Sequence, residues 1–172
     1  MQLSYLCNPL VLYKKMNKES DHFLTFRPAN TADIQTLNRI SLASKRHWNY
    51  PEEWISMWKD DLTLDENDLL NSSVIVLEVR TIVKGFCSIR TNSDHYEVLH
   101  LWLLPELIGQ GLGKVLLQTS IDRIVKNDLP ILVEADPHAE AFYAKQGFVT
   151  YDKKESYPKG RYLPLMKMGQ LK

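Results

Sequence analysis

Three glycines alternate in Ile108-Gly109-Gln110-Gly111-Leu112-Gly113-Lys114, between an apolar β-rich run at 96–104 and an amphipathic stretch from about 111 to 126. A strand passing through a glycine turn into a helix, then into the buried run Pro130-Ile131-Leu132-Val133, is a strand-helix-strand crossover. Such a crossover pairs its two strands in parallel. The glycines let several backbone N–H groups converge at the positive end of the helix dipole, which is a site for phosphate. Two familiar nucleotide patterns fit poorly. A P-loop needs glycine at 108 and Ser or Thr after the lysine, whereas the chain has Ile108 and Val115. A dinucleotide fingerprint is met at Gly109 and Gly111 but not at Lys114, and the strands before it alternate as an antiparallel meander.

That meander comprises 73–80, 82–91 and 96–104, joined by short connections. Upstream, 23–28 reads as a first strand ended by Pro28. Asn30-Thr31-Ala32-Asp33 is a capping box ahead of Ile34, Leu37, Ile40 and Ser44 at helical spacing. Pro51 suits the first position of a second helix, with Trp54, Met57 and Trp58 on one face, and 64–70 reads as a short helix. Downstream, Asp136-Pro137 caps a helix carrying Phe142 and Tyr143, Gly147 stops it, and 148–153 with 162–168 form a final strand pair. No repeat or Gly/Ser/Pro-rich linker divides the chain, so the sequence reads as an N-terminal extension at 1–20 and one domain at 21–172.

Composition removes whole classes of function. Lys plus Arg and Asp plus Glu are both 21, so no net charge draws the chain toward nucleic acid or an anionic membrane, and any polyanion must be held locally. Cys7 and Cys87 have neither disulfide-scaffold nor CxxC spacing, which points to a reducing, cytoplasmic home. No apolar run reaches the ~20 residues a membrane span requires. The short one at 1–13 is broken by Asn8 and Pro9, unlike a signal peptide, and Met16 is an alternative start. His22, His47, His95, His100 and His138 are scattered, without metal-ligand spacing, so no metal is expected.

The loop and its flanks resemble the acetyl-CoA loop of the GNAT superfamily of N-acetyltransferases, in which a Gly-x-Gly turn follows a strand ending in Pro and an acidic residue. Here Leu103-Leu104-Pro105-Glu106 leads into Gly109 to Lys114, with Ile108 where the family usually has Arg or Gln. Residues Asp136 to Phe148 are similar to the second signature, N-x-x-A-x-x-F-Y-x-x-x-G-F, read with His138 in place of the usual Asn. The resemblance covers roughly 23–168. It implies a mixed α/β fold, a twisted sheet of about six or seven strands splayed at the CoA-binding strand, with helices on both faces. It also implies acetyl-CoA as cosubstrate, bound by the main chain of Leu101 and Leu103, by residues Ile108 to Lys114 including Gln110 and Leu112, and by His138, Phe142 and Tyr143.

The implied chemistry is direct acetyl transfer to a primary amine. Tyr143 matches the family's general acid; a phenol of pKa ~10 can protonate a departing thiolate of ~8.5 as the bond breaks. An alkyl amine of pKa ~10.4 is protonated at pH 7, a penalty of ~4.6 kcal/mol on the reactive form, so a base is useful. Glu97, 14 positions before Gly111, matches the catalytic glutamate of several members, and His100 is the second candidate. Simple alternation puts the two on opposite faces, and a bulge in this strand, as the family has, reverses that parity.

The acceptor pocket is expected from His47, Trp48, Tyr50 and Trp54, as a flat-walled pocket or a cation-stacking site, and from Arg161, which could clamp a carboxylate. The expected partner is a small-molecule amine, with neither nucleic acid nor membrane involved and a homodimer left open. Other readings are a CoA-binding sensor or partner-binding module without turnover, and an acetyltransferase acting on a protein lysine or N-terminus.

Overall fold

The computed structural model describes residues 24–169. Cys7, Met16 and the extension at 1–20 lie outside them. The described residues form one seven-stranded sheet of β1 (Leu24–Pro28), β2 (Ser73–Val79), β3 (Ile82–Thr91), β4 (Tyr96–Leu103), β5 (Ile131–Glu134), β6 (Val149–Ser156) and β7 (Arg161–Met168). The strand order is β1-β2-β3-β4-β5-β7-β6, and only β4 and β5 pair in parallel. Their pairing is short: it runs from Tyr96 opposite Ile131 to Val98 opposite Val133 and then stops. Beyond Val98 the strands splay, leaving the rest of β4 without a neighbour on that side.

The helices are α1 (Ile34–Arg46), α2 (Glu52–Met57), α3 (Lys59–Leu62), α4 (Glu66–Asn71), α5 (Leu112–Ile124) and α6 (Glu140–Lys145). The capping box precedes α1 as expected: the Asn30 side chain accepts from the Ala32 amide, and the Asp33 carboxylate accepts from the Asn30 amide at 2.9 Å. Buried Leu37, Ile40, Ser41, Ser44 and Lys45 follow i, i+3, i+4, i+7, i+8, one stripe facing the sheet. Each large apolar member of that stripe contributes ~1.5–3 kcal/mol by leaving water. The lysine at its end is the anomaly, and it belongs to the site.

Two details depart from the expected helix pattern. Pro51 caps α2 from outside with extended ψ, so the helix begins at Glu52. The helical path breaks at Trp58 (φ −91°, ψ 6°), which buries Ile55 and Trp58 and leaves Met57 exposed, rather than aligning Met57 with the tryptophans.

Apolar side chains fill both faces of the sheet. Val98, Leu103, Leu116, Val133 and Tyr143 belong to the core packed around α5 and α6, while Leu37, Ile40, Val76 and Phe86 form the core beneath α1. A bulge in β4 decides which residues face which core. Ser88 opposes His100 while Ile89 opposes Val98, so Leu99 is the extra residue. Tyr96, Val98, Leu101 and Leu103 consequently all pack toward α5. Trp102 and the His100 ring, 5.9 Å from that of Phe86, pack toward α1. Glu97 and His100 therefore share a face, as the bulged alternative required.

Candidate active site

The glycine turn is built to leave its amides free. Gly109 and Gly111 have φ of +83° and +79°, the left-handed region costing other residues roughly 1–2 kcal/mol, and no atom lies within 4 Å of where a Cβ would be. The Ile108 and Gln110 N–H groups close local turns on the Pro105 and Leu107 carbonyls. Those of Gly109, Gly111, Leu112, Gly113 and Lys114 have no backbone acceptor among the described residues. Five free donors at the N-terminus of a 13-residue helix suit a diphosphate. The cradle is therefore narrower than the whole of 108–114.

A cavity of about 460 Å³ runs from this turn along the splayed part of β4. Leu101, Leu103, Ile108, Gly109, Gly111, Gly113, Lys114, His138, Phe142 and Tyr143 line it, bringing together ten of the twelve expected cofactor contacts. Gln110 and Leu112 do not: the Gln110 amide turns back to the Glu106 carbonyl, and Leu112 is in the core. Ile108, in the polar position of the loop, packs its side chain against the apolar core instead. A Cβ on Gly113 would press on Phe142 at 3.4 Å, so that glycine sets how closely α5 approaches α6.

A second cavity of about 170 Å³ lies on the α1 to α3 side and shares Leu101, Trp102, Asp136, Ala139 and Tyr143 with the first. Tyr143 thus stands between them, 5% exposed and wedged against Phe142 and Phe148. Burial, with the nearby Cys87 adding to it, raises its phenol well above the ordinary value, so it keeps its proton throughout the neutral range.

Asp136 is the hub of the junction. One carboxylate oxygen accepts from Lys45 Nζ and from Arg161 Nη2 at 3.1 Å; the other accepts from Tyr50 Oη at 2.9 Å and the His138 amide at 3.0 Å. Burial works to raise its pKa, but these donors, Lys45 first, outweigh burial and hold it below the usual carboxylate range. Burial likewise depresses the Lys45 ammonium, against the opposing pull of Asp136. It pushes the Tyr50 phenol up to about 12, with the Asp136 charge contributing. Counted back from Ala139 and Phe142-Tyr143, the first position of the second signature falls on Asp136, which corrects the assignment to His138. His138 instead stacks on Trp48, with centroids 5.0 Å apart and planes at 5°.

Of the aromatic residues expected to hold an acceptor cation, Tyr50 already holds the chain's own cations, together with Trp58. Lys45 Nζ lies 4.8 Å from the Tyr50 centroid and 4.5 Å from that of Trp58, and the Arg161 guanidinium is also 4.5 Å from Trp58. Trp54 packs on Tyr50 and Trp58, and His47 meets Trp48 edge-on. Of the expected acceptor residues, Trp48 lines the larger cavity and Arg161 the smaller. Sequence reasoning missed Lys45. The available signal was a charged residue at the last position of an otherwise uncharged helical stripe.

Neither candidate base lines either of these two cavities. His100 accepts from Trp102 Nε1 at 3.2 Å, and burial lowers its pKa to about 4, making it a weak base at neutrality. Glu97 pairs at 3.4 Å with Arg90 through one oxygen. Asp61 and Glu134 do line the smaller cavity, and Lys154 binds both oxygens of Glu134 at 2.9 and 3.0 Å. The Glu134 hydrogen bonds first, with the charges of Glu97 and Asp61 adding to them, raise the pKa of Lys154.

A parallel strand pair splayed over a glycine turn, with a tyrosine lining two adjacent cavities, suits an anionic ligand held beside a second, smaller one. Residues 43–169 match the family model of the acetyltransferase (GNAT) domain, and the chain belongs to that family. GNAT members are acyl-CoA-dependent acetyltransferases. Among solved structures, the chain resembles a PaiA N-acetyltransferase from Thermoplasma acidophilum in complex with coenzyme A. The TM-score is 0.73 at 20% identity, covering 86% of this chain and 99% of that one. It resembles a GCN5-related N-acetyltransferase from Rhodopseudomonas palustris (TM-score 0.71, 22% identity, 85% and 95% covered). It also resembles the ribosomal-protein-S18-alanine N-acetyltransferase from Escherichia coli (0.64, 16%, 86% and 94%). No curated protein matches. Among the described residues no helix is long and apolar enough to cross a membrane.

Proposed function

We propose that this protein transfers the acetyl group of acetyl-CoA to a primary amine of a small molecule. The carrying observation is the meeting of the two cavities at Tyr143, one ending in free helix amides and the other, of about 170 Å³, the size of a short amine. Acetyl-CoA supplies an acyl thioester: the amine nitrogen bonds the acetyl carbon, the carbon–sulfur bond breaks, the amine loses a proton and the thiolate gains one.

The residues divide this work. The amides of Gly109 and of Gly111 to Lys114, with the Lys114 ammonium, hold the diphosphate and compensate locally for a chain of zero net charge. The β4 backbone at Leu101 and Leu103, paired with β3 but without a strand partner on the β5 side, orients the pantetheine arm. Tyr143 delivers the proton to sulfur. Its raised pKa does not disqualify it, because the same burial raises the basicity of a thiolate formed beside it. Glu97 takes the amine proton through water, since its second oxygen has no partner among the described residues while both oxygens of Glu134 are held by Lys154.

Two expected results follow from these roles. Tyr143→Phe should lower thiol release from acetyl-CoA with an amine panel by about 10²–10⁴-fold while calorimetry shows unchanged acetyl-CoA affinity. Full activity in this variant would remove Tyr143 as the acid, whereas tight CoA binding with no turnover on any amine by the native protein would leave a sensor rather than an enzyme. Glu97→Gln should cut kcat/KM at neutral pH by at least about tenfold, with a smaller deficit at high pH where the amine is already neutral. Glu134→Gln should stay near native, and the reverse outcome moves the base to Glu134.

A further inference from the structure

We propose that the acceptor carries a carboxylate, bound at the Arg161 and Lys45 wall of the smaller cavity; the proposal deepens, and rests on, the acetyltransferase reading above. Lys45, Arg161 and Asp136 have side chains only 7%, 10% and 12% exposed. Two cations and one anion leave one surplus positive charge out of water. A buried surplus charge is costly unless a counter-charge arrives.

Among the described residues no further side chain provides that counter-charge. Asp136 accepts four hydrogen bonds, which fills the lone-pair sites of its two oxygens. Glu134 faces the same cavity but is committed to Lys154. Asp61 is exposed and makes no hydrogen bond or ion pair to either buried cation. Arg161 is meanwhile under-used: its Nη1 donates to Ser156 Oγ and its Nη2 to Asp136, while Nε is buried with no partner among the described residues. The guanidinium is also held in place, lying on Trp58, whose own Nε1 donates to the Tyr157 carbonyl at 2.8 Å. A held, unsaturated, singly surplus cation matches a monoanionic carboxylate better than a phosphate of charge about −1.5 to −2. The cavity's volume of about 170 Å³ limits the molecule to a short one, and its shared wall puts that molecule beside Tyr143. A short amino acid, or another small amine bearing a carboxylate, fits these conditions.

Binding separates this inference from the transferase reading. Butyrate and its uncharged analogue butyramide are titrated into CoA-saturated native protein, with heat and tryptophan fluorescence recorded, since Trp58 contacts Arg161. Butyrate should bind at least about tenfold more tightly than butyramide. Arg161→Gln should abolish that preference, and Arg161→Lys, which keeps the charge, should restore part of it. In acetylation assays, 4-aminobutyrate should exceed butylamine in kcat/KM by a similar factor. Equal binding of butyrate and butyramide to the native protein, which needs no variant to fold, overturns the proposal, as does equal acetylation of butylamine and 4-aminobutyrate. If butyrate binds through Arg161 but no amine is acetylated, the carboxylate subsite stands and the transferase reading fails instead.

Discussion

Gly111→Val should lower acetyl-CoA affinity by about two to four orders of magnitude while leaving a cooperatively folded protein. At φ +79° a β-branched residue is strained, but no neighbour lies within 4 Å of the new Cβ, so there is no packing clash to unfold the domain. The chain relieves the strain by rotating the turn, which turns the amides of Gly111 and Leu112 away from the diphosphate. A hydrogen bond to a charged group is worth ~1.5–3 kcal/mol, so losing two costs ~3–6 kcal/mol, or roughly 10²–10⁴ in affinity. Calorimetric titration with acetyl-CoA, alongside thermal melting, checks both halves. Native affinity in a folded Gly111→Val protein would remove the amide cradle from the mechanism and leave binding to Lys114 and the pantetheine contacts.

Asp136→Ala should be the most destabilising single change in the site. It leaves Lys45 and Arg161 buried without their counter-charge and also removes the acceptor of the Tyr50 hydroxyl and the His138 amide. Breaking a buried pair by removing one partner costs ~3–5 kcal/mol, which for a domain this size lowers Tm by roughly 6–20 °C. Lys45→Met combined with Asp136→Ala should recover part of the loss, because one stranded cation remains rather than two. The pH dependence has a definite sign. The native carboxyl titrates below its unfolded value of ~3.9, so its contribution is present above that pH and is lost as pH falls through the native pKa. The native protein should therefore lose stability on acidification through that range, and Asp136→Ala should show a flatter acid limb. A loss under ~1 kcal/mol, the size expected of a surface ion pair, would show that water reaches and screens the cluster.

The two changes act on features that were not equally visible in the chain. Gly111 was legible because its role is local: alternating glycines between a strand run and an amphipathic helix state both the backbone conformation and the dipole that goes with it. The Asn30 capping box, the stripe of Leu37, Ile40 and Ser44 and the stop at Gly147 are of the same kind, since caps and periodicity depend on neighbours within a few positions. Asp136 was visible only as a helix cap. Its partners Lys45 and Arg161 are 91 and 25 positions away, and no local pattern records that three elements bring them together.

The same distinction separates the rest of the molecule. The meander, the crossover, the glycine turn and the aromatic pair on α6 follow from local preference and hydrophobic period, which every short segment carries with it. Tertiary structure alone decided that Leu99 bulges and brings Glu97 and His100 to one face, that burial leaves His100 a poor base, and that Tyr50 and Trp58 cover the protein's own cations. These outcomes depend on which charges are removed from water together, and solvation is a property of the assembled interior rather than of any stretch of chain.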